Sequence, residues 1–197
     1  MSSIQLIFAT NNANKVIEIQ SVIPEGIQVI SLAEAGINID IPEPHNSLEA
    51  NATEKSTVIH QLTNKNCFSE DTGLEVTALH GEPGVKSARY AGDHKNFNAN
   101  IDKLLLNLQG EKNRTAQFRT VISLIWDDKE YQFEGICKGQ ITHETRGTNG
   151  FGYDAVFIPD GSDKTFGEMS LDEKNEYSHR KKAVAKLISC LQALTAN

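Results

Sequence analysis

Two adjacent carboxylates, Glu70 and Asp71, stand in the run Phe68-Ser69-Glu70-Asp71-Thr72-Gly73, at the point where an apolar stretch breaks. Hard divalent ions such as Mg²⁺ take carboxylate oxygens together with water and substrate phosphate, so this pair is a candidate metal and proton-transfer site. Neighbouring side chains in a regular strand point to opposite faces. Either one carboxylate faces the site or a bend at Gly73 brings both to it, and a solvated acidic turn is the plain alternative. A second feature is the loop of Thr10, Asn11, Asn12, Ala13, Asn14 and Lys15. Small polar residues and a lysine between a strand end and a helix start suit a phosphate, although the glycine spacing of a P-loop or a dinucleotide fingerprint is missing. Asn51 and Lys55 lie four apart, on one helix face. Among Leu48, Ala52, Ile59 and Leu62, Lys55 either snorkels or points into a site.

Two further segments suit a base. In Gly147-Thr148-Asn149-Gly150-Phe151-Gly152-Tyr153-Asp154 the glycines allow close backbone approach, Phe151 and Tyr153 offer faces for stacking, and Asp154 offers an acceptor. Packing accounts for one of the two aromatics equally well. In Ser178-His179-Arg180-Lys181-Lys182, positive charge at a helix start opposes the helix dipole unless an anion or electron-rich ligand offsets it. The planar fork of Arg180 matches the O6 and N7 edge of a purine, whereas Lys181 and Lys182 read equally as a solvated basic turn. His45, His60, His80, His94 and His143 lack metal-ligand spacing, and Cys67, Cys137 and Cys190 are too far apart for a disulfide framework or paired zinc site, so they read as buried free thiols.

The elements that must position these groups alternate between strand and helix. Residues 4–9 read as a buried strand, followed by the polar loop and a helix carrying Val16, Ile19 and Ile23. Asn46, with Glu49 three residues on, predicts a capped helix that ends near Asn64. A strand over 67–79, a turn at Gly81-Glu82-Pro83-Gly84, a helix over 101–108, a hairpin of 117–126 with 131–141, and a strand over 153–158 follow. A final helix, capped by Ser178, carries Ala183, Leu187, Ile188, Leu191 and Leu194 on one face. Without repeats or linkers, this order predicts an α/β protein, a mixed sheet covered by helices, as one domain over 1–197.

At 197 residues and 39% hydrophobic content, the chain has enough apolar side chains for a substantial core. Its net charge of −7, from 26 acidic and 19 basic residues, opposes a role on a nucleic-acid polymer. The apolar runs are too short to span a bilayer, and the start lacks a basic segment and cleavage site, so a cytoplasmic protein with no membrane partner is expected.

Taken together, these segments resemble the inosine triphosphate pyrophosphatase family, which hydrolyses non-standard purine nucleoside triphosphates. The resemblance runs from Ala9 to Ala183, through Ala9-Thr10-Asn11-Asn12-Ala13-Asn14-Lys15, Asn51-Ala52 with Lys55, Glu70-Asp71-Thr72-Gly73-Leu74-Glu75-Val76, Ser87-Ala88-Arg89-Tyr90, Gly150 to Asp154, and Glu173-Lys174-Asn175 with Ser178-His179-Arg180. It implies an elongated central sheet, two lobes around a nucleotide cleft, a homodimer, and Mg²⁺-dependent hydrolysis of ITP, dITP or XTP to the monophosphate and pyrophosphate. It also implies roles for residues. Asp71 is then catalytic and, with Glu70 and Glu43, a metal ligand. Thr10, Asn11, Asn12, Ala13, Asn14, Lys15, Lys55 and Thr72 hold phosphates, while Phe151, Gly152, Tyr153, Asp154, Lys174, His179 and Arg180 surround the nucleoside. Glu70 and Thr72 replace the family's usual Asp and Ser, Ala50 stands where Glu is common, and residues 42–47 match less closely. A pyrophosphatase for other modified nucleotides and a non-hydrolysing nucleotide sensor remain the alternative activities.

Overall fold

The computed structural model describes residues 4–196. The elements are β1 (Ile4–Phe8), α1 (Ala13–Gln20), β2 (Ile27–Ser31), α2 (Leu48–Thr63), β3 (Cys67–Val76), β4 (Pro83–Gly84), α3 (Phe97–Asn107), β5 (Thr115–Trp126), β6 (Lys129–Ile141), β7 (Phe157–Pro159), α4 (Leu171–Tyr177) and α5 (His179–Thr195). The strand order is β2-β1-β3-β5-β6-β7, with β4 on β3. Since β1 is parallel to β2 and β3 while β4 and β7 pair antiparallel, the sheet is mixed, as its sequence pattern predicts.

Residues cluster into two compact units. The first comprises the chain up to Asp71, Thr120–Gly135 and the chain from Arg180 onward; the second comprises Thr72–Arg119 and Ile136–His179. Each has its own core.

In the first unit, period-two alternation assigns every β1 side chain to a face. Leu6 and Phe8 pack with Ile19 of α1 and with Ala183, Val184, Leu187 and Leu191 of α5. Ile7 packs on the opposite face with Leu32, Ile59 of α2 and Cys67. β3 keeps the same parity, because Phe68 stacks on Phe8 with ring centroids 4.5 Å apart. Helix α2 turns Asn51, Ala52, Lys55, Ser56 and Ile59 inward, and Ser56 shares a 2.7 Å hydroxyl contact with Ser123 of β5. The helix ends near Asn64, as predicted, with Asn64 in the left-handed conformation, but its N-cap is Ser47 rather than Asn46: the Ser47 hydroxyl accepts from the Ala50 amide at 3.2 Å. α1 stops at Gln20, so Ile23 lies beyond it. The hairpin turn at Asp127 and Asp128 has positive φ at both residues (48° and 64°), which fits the right-handed twist of β5 and β6.

The second unit packs Leu74, Val76, Leu104, Phe118, Phe157 and Phe166 together. Three elements carry no strand or helix expectation from the sequence: β2, α4 and β4, whose Pro83–Gly84 is expected only as a turn and pairs antiparallel with β3. Helix α4 lacks an apolar period and begins instead with a capping box, in which Ser170 and Glu173 satisfy each other's backbone amides. Residues 154–156 form a 3-10 turn, which shortens the strand expected over 153–158 to β7. Cys67 and Cys137 are buried and Cys190 is half-buried, all three as free thiols; burial pushes the Cys67 thiol up to about 12.

Leu187 is fully buried whereas Leu106 is 67% exposed. Leu187→Ala is expected to lower unfolding free energy by about 2–5 kcal/mol, and Leu106→Ala to change it by less than about 0.5 kcal/mol, both measured by urea denaturation at equilibrium.

Candidate active site

Strand parity decides which way the two adjacent carboxylates face. Glu70 shares the parity of Phe68 and faces α1 and α5, whereas Asp71 shares the parity of Cys67 and Ser69 and faces α2. The strand runs unbroken through Gly73, so no bend brings the two together.

Glu70 is 1% exposed. Its Oε2 accepts from Arg180 Nε at 2.8 Å, and its Oε1 accepts from the Arg180 terminal nitrogen at 2.9 Å and pairs with Lys15 Nζ at 3.0 Å. A further Arg180 nitrogen pairs with Glu18. Burial alone would raise the Glu70 carboxyl, but Arg180 and Lys15 outweigh it and hold the group far below the usual carboxylate range. Glu70 is thus held as an anion whose two oxygens face cations.

Arg180 has the matching geometry. Its three guanidinium nitrogens face carboxylates in a site only 2% exposed, and so it ties β3, α1 and α5 together. Sequence reasoning did not single out Glu18. Its only signal is an acidic residue beside the core residue Ile19 on a helix whose inward face is otherwise apolar.

Asp71 meets different partners. Its Oδ1 accepts from Lys55 Nζ at 3.1 Å and its Oδ2 from Asn51 Nδ2 at 3.3 Å. Lys55 Nζ also donates to Glu43 Oε1 at 2.9 Å, which places Glu43 beside Asp71 from the loop before α2. Asn51 is itself anchored, accepting from the His45 amide at 2.9 Å. Burial raises the Asp71 carboxyl above the ordinary range; Lys55 and Lys15 oppose the shift and Glu43 adds to it. For Lys55, burial acts downward, but Asp71 and Glu43 together raise it, so the ammonium stays charged. Lys55 therefore points inward and does not snorkel.

One or two carboxylates, completed by water and substrate phosphate, suffice for Mg²⁺, and Glu43 with Asp71 supplies that donor set around a position that already holds a cation. Among the described residues no group of three or more His, Cys, Asp or Glu forms a metal cage.

Just beyond β1, at the same end of the sheet, Asn12 caps α1, its side chain accepting from the amides of Asn14 (3.0 Å) and Lys15 (3.3 Å). Thr10 Oγ1 accepts from the Asn12 amide at 3.2 Å, and Asn11 donates to the Ile39 carbonyl at 2.8 Å. Ala13 and Asn14 are exposed, and the Lys15 ammonium reaches back to Glu70.

In the second unit, Lys174 is 4% exposed and donates to Asp154 Oδ2 at 2.6 Å, with its ammonium 5.3 Å from the Phe151 ring centre and 5.2 Å from that of Phe166. The same Asp154 oxygen accepts from the Phe151 amide at 2.9 Å. That turn needs Gly150, which has φ +73° and whose Cβ, if present, would lie 2.0 Å from Asp154 Oδ2. Phe151 and Gly152 are half-buried, Tyr153 is buried with its hydroxyl donated to the Ser87 carbonyl at 2.9 Å, and Thr72 is half-buried next to Asp71 in the chain. Of the two aromatics, Tyr153 is thus the one explained by packing. His179 is buried and stacks on Phe118, with ring centres 4.7 Å apart and planes at 13°. Phe118 and Phe166, which complete this aromatic cluster, are not singled out by the sequence.

The family pattern of Ham1 matches residues 6–190. A relative from Flavobacterium johnsoniae named dITP/XTP pyrophosphatase is 52% identical over 96% of this chain and 98% of its own. Another of that name, from Bacillus subtilis, is 42% identical over 96% and 98%. The solved structure of the Staphylococcus aureus Ham1 protein superposes with a TM-score of 0.87 at 38% identity, covering 97% of this chain and all of that one. With the match spanning nearly its whole length in both sequence and structure, the chain belongs to the Ham1 family.

Proposed function

We propose that this protein hydrolyses dITP, ITP and XTP to the nucleoside monophosphate and pyrophosphate, with Mg²⁺ as cofactor. The observation that carries the reading is Asp71, a buried carboxylate with a raised proton affinity, held by Asn51 and Lys55 beside Glu43 and within the field of Lys15. Its relatives named dITP/XTP pyrophosphatase support the substrate class.

Asp71 orients a water molecule and takes its proton as the water oxygen attacks the α-phosphorus. The bond from the α-phosphorus to the α–β bridging oxygen breaks, and pyrophosphate leaves. Lys15 and Lys55 leave their carboxylate partners to neutralise the phosphates, next to the exposed start of α1. Glu43 and Asp71 would hold Mg²⁺, which would supply positive charge against that developing on the phosphoryl oxygens. In the second unit, Phe151 offers a half-open ring to the base, Lys174 and Asp154 set the loop that carries it, and His179 is held by its stack on Phe118. Thr72, Gly152 and Tyr153 shape the same substrate-binding set. Because β3, β5 and β6 contribute residues to both units, the whole chain acts as one functional domain. The resemblance further supports a cytoplasmic homodimer. Among the described residues no helix is long and apolar enough to cross a membrane.

Incubating the protein with dITP, XTP, GTP and ATP in Mg²⁺ is expected to release pyrophosphate and monophosphate from the first two at much higher kcat/KM; release of inorganic phosphate with a diphosphate would refute the reading. Asp71→Asn is expected to lower kcat by about 10²–10⁴-fold, the usual range for a lost proton acceptor, while nucleotide binding remains measurable by calorimetry. Arg180→Ala leaves Glu18 and Glu70 buried without their shared cation, at a cost of about 3–5 kcal/mol in urea unfolding. Its kcat/KM values for dITP and ATP should fall by the same factor; a selective loss on dITP would return Arg180 to the base.

A further inference from the structure

Glu43 and Asp71, the two carboxylates of the proposed metal site, are both held by Lys55 Nζ, through Glu43 Oε1 at 2.9 Å and Asp71 Oδ1 at 3.1 Å. Lys55 is 6% exposed, so its ammonium cannot simply withdraw into solvent. With the lysine in place the trio carries a net charge of −1; without it, −2. A bare divalent ion arriving here would therefore sit beside a trapped positive charge that has lost its partners. A triphosphate changes this balance, because its oxygens give the displaced ammonium new acceptors as the ion takes the carboxylates.

We infer that Lys55 is a built-in cation that competes with the metal for Glu43 and Asp71, so that the free protein binds a divalent ion weakly and takes it up as the complex with its triphosphate. This rests on the proposed pyrophosphatase reading for the identity of the triphosphate, but the competition between ammonium and metal is a property of the nucleotide-free protein.

The test uses Mn²⁺ alone as the probe, titrated into nucleotide-free protein and followed by the electron paramagnetic resonance of the unbound ion. Lys55→Met, which keeps the chain length and removes the charge, is expected to bind Mn²⁺ at least about ten-fold more tightly than the wild type, as follows from deleting a charge within a few ångströms of the ion. Adding Asp71→Asn to Lys55→Met should abolish the gain. Affinity in Lys55→Met equal to or below that of the wild type, or a gain that survives Asp71→Asn, would overturn the inference. Since the variant leaves two carboxylates unpaired, thermal unfolding supplies a second readout: Mg²⁺ should raise the Tm of Lys55→Met and of Lys55→Gln more than that of the wild type. If neither variant folds even with Mg²⁺ present, the metal cannot replace the ammonium, and the inference fails. Wild-type turnover of dITP separates the two claims: turnover without the Mn²⁺ gain refutes the competition alone, and the gain without turnover refutes the pyrophosphatase reading alone.

Discussion

A guanidinium stripped of water must face acceptors, and Arg180 at 2% exposure finds them in Glu70 of β3 and Glu18 of α1. This one buried ion network fixes the relation between the start of α5, the middle of β3 and the inner face of α1. It also explains the positive helix start that the sequence presents as a liability, since the charge of Arg180 is answered by carboxylates rather than by solvent. Lys15 joins the same network, and two cations against two anions leave it neutral.

Fixing Glu70 on that face leaves Asp71 to the other. Both carboxylates are buried by nearly the same backbone, yet their proton affinities move in opposite directions. Glu70 has two cations within hydrogen-bond distance, which overcome desolvation. Asp71 has one, Lys55, and shares it with Glu43, so desolvation prevails. Neighbouring residues in a strand thus divide into one carboxylate held ionised and one whose proton affinity is raised, a separation that acid–base chemistry uses. The second unit uses a related device on a smaller scale, where a buried Lys174 is answered by Asp154 and the faces of Phe151 and Phe166.

Much of this protein was legible in its residue order. The buried run of β1, the alternation of Tyr131, Phe133 and Cys137 in β6, the turn at Asp127 and Asp128, the end of α2 near Asn64, and the apolar stripe of α5 each follow from local stereochemistry and appear in the fold. The pairing of Asn51 with Lys55 on one helix face and the isolation of the three cysteines were likewise local facts. β2 and α4 escaped because neither carries its own signal: β2 is five residues long and made by pairing with β1, and α4 is held by its capping box rather than by an apolar face.

What the sequence could not decide is where long charged side chains end. Arg180 and Glu70 are 110 residues apart and Arg180 and Glu18 are 162 apart, so their partnership depends on how α1, β3 and α5 pack and not on any spacing. The sequence determined that a lysine-bearing helix start, two adjacent carboxylates and a basic helix start exist, because these are properties of neighbours along the chain. Tertiary structure alone decided that Glu70 belongs to Arg180 and Asp71 to Lys55, because burial raises the cost of an unpaired charge until each one must take the partner that packing brings within reach.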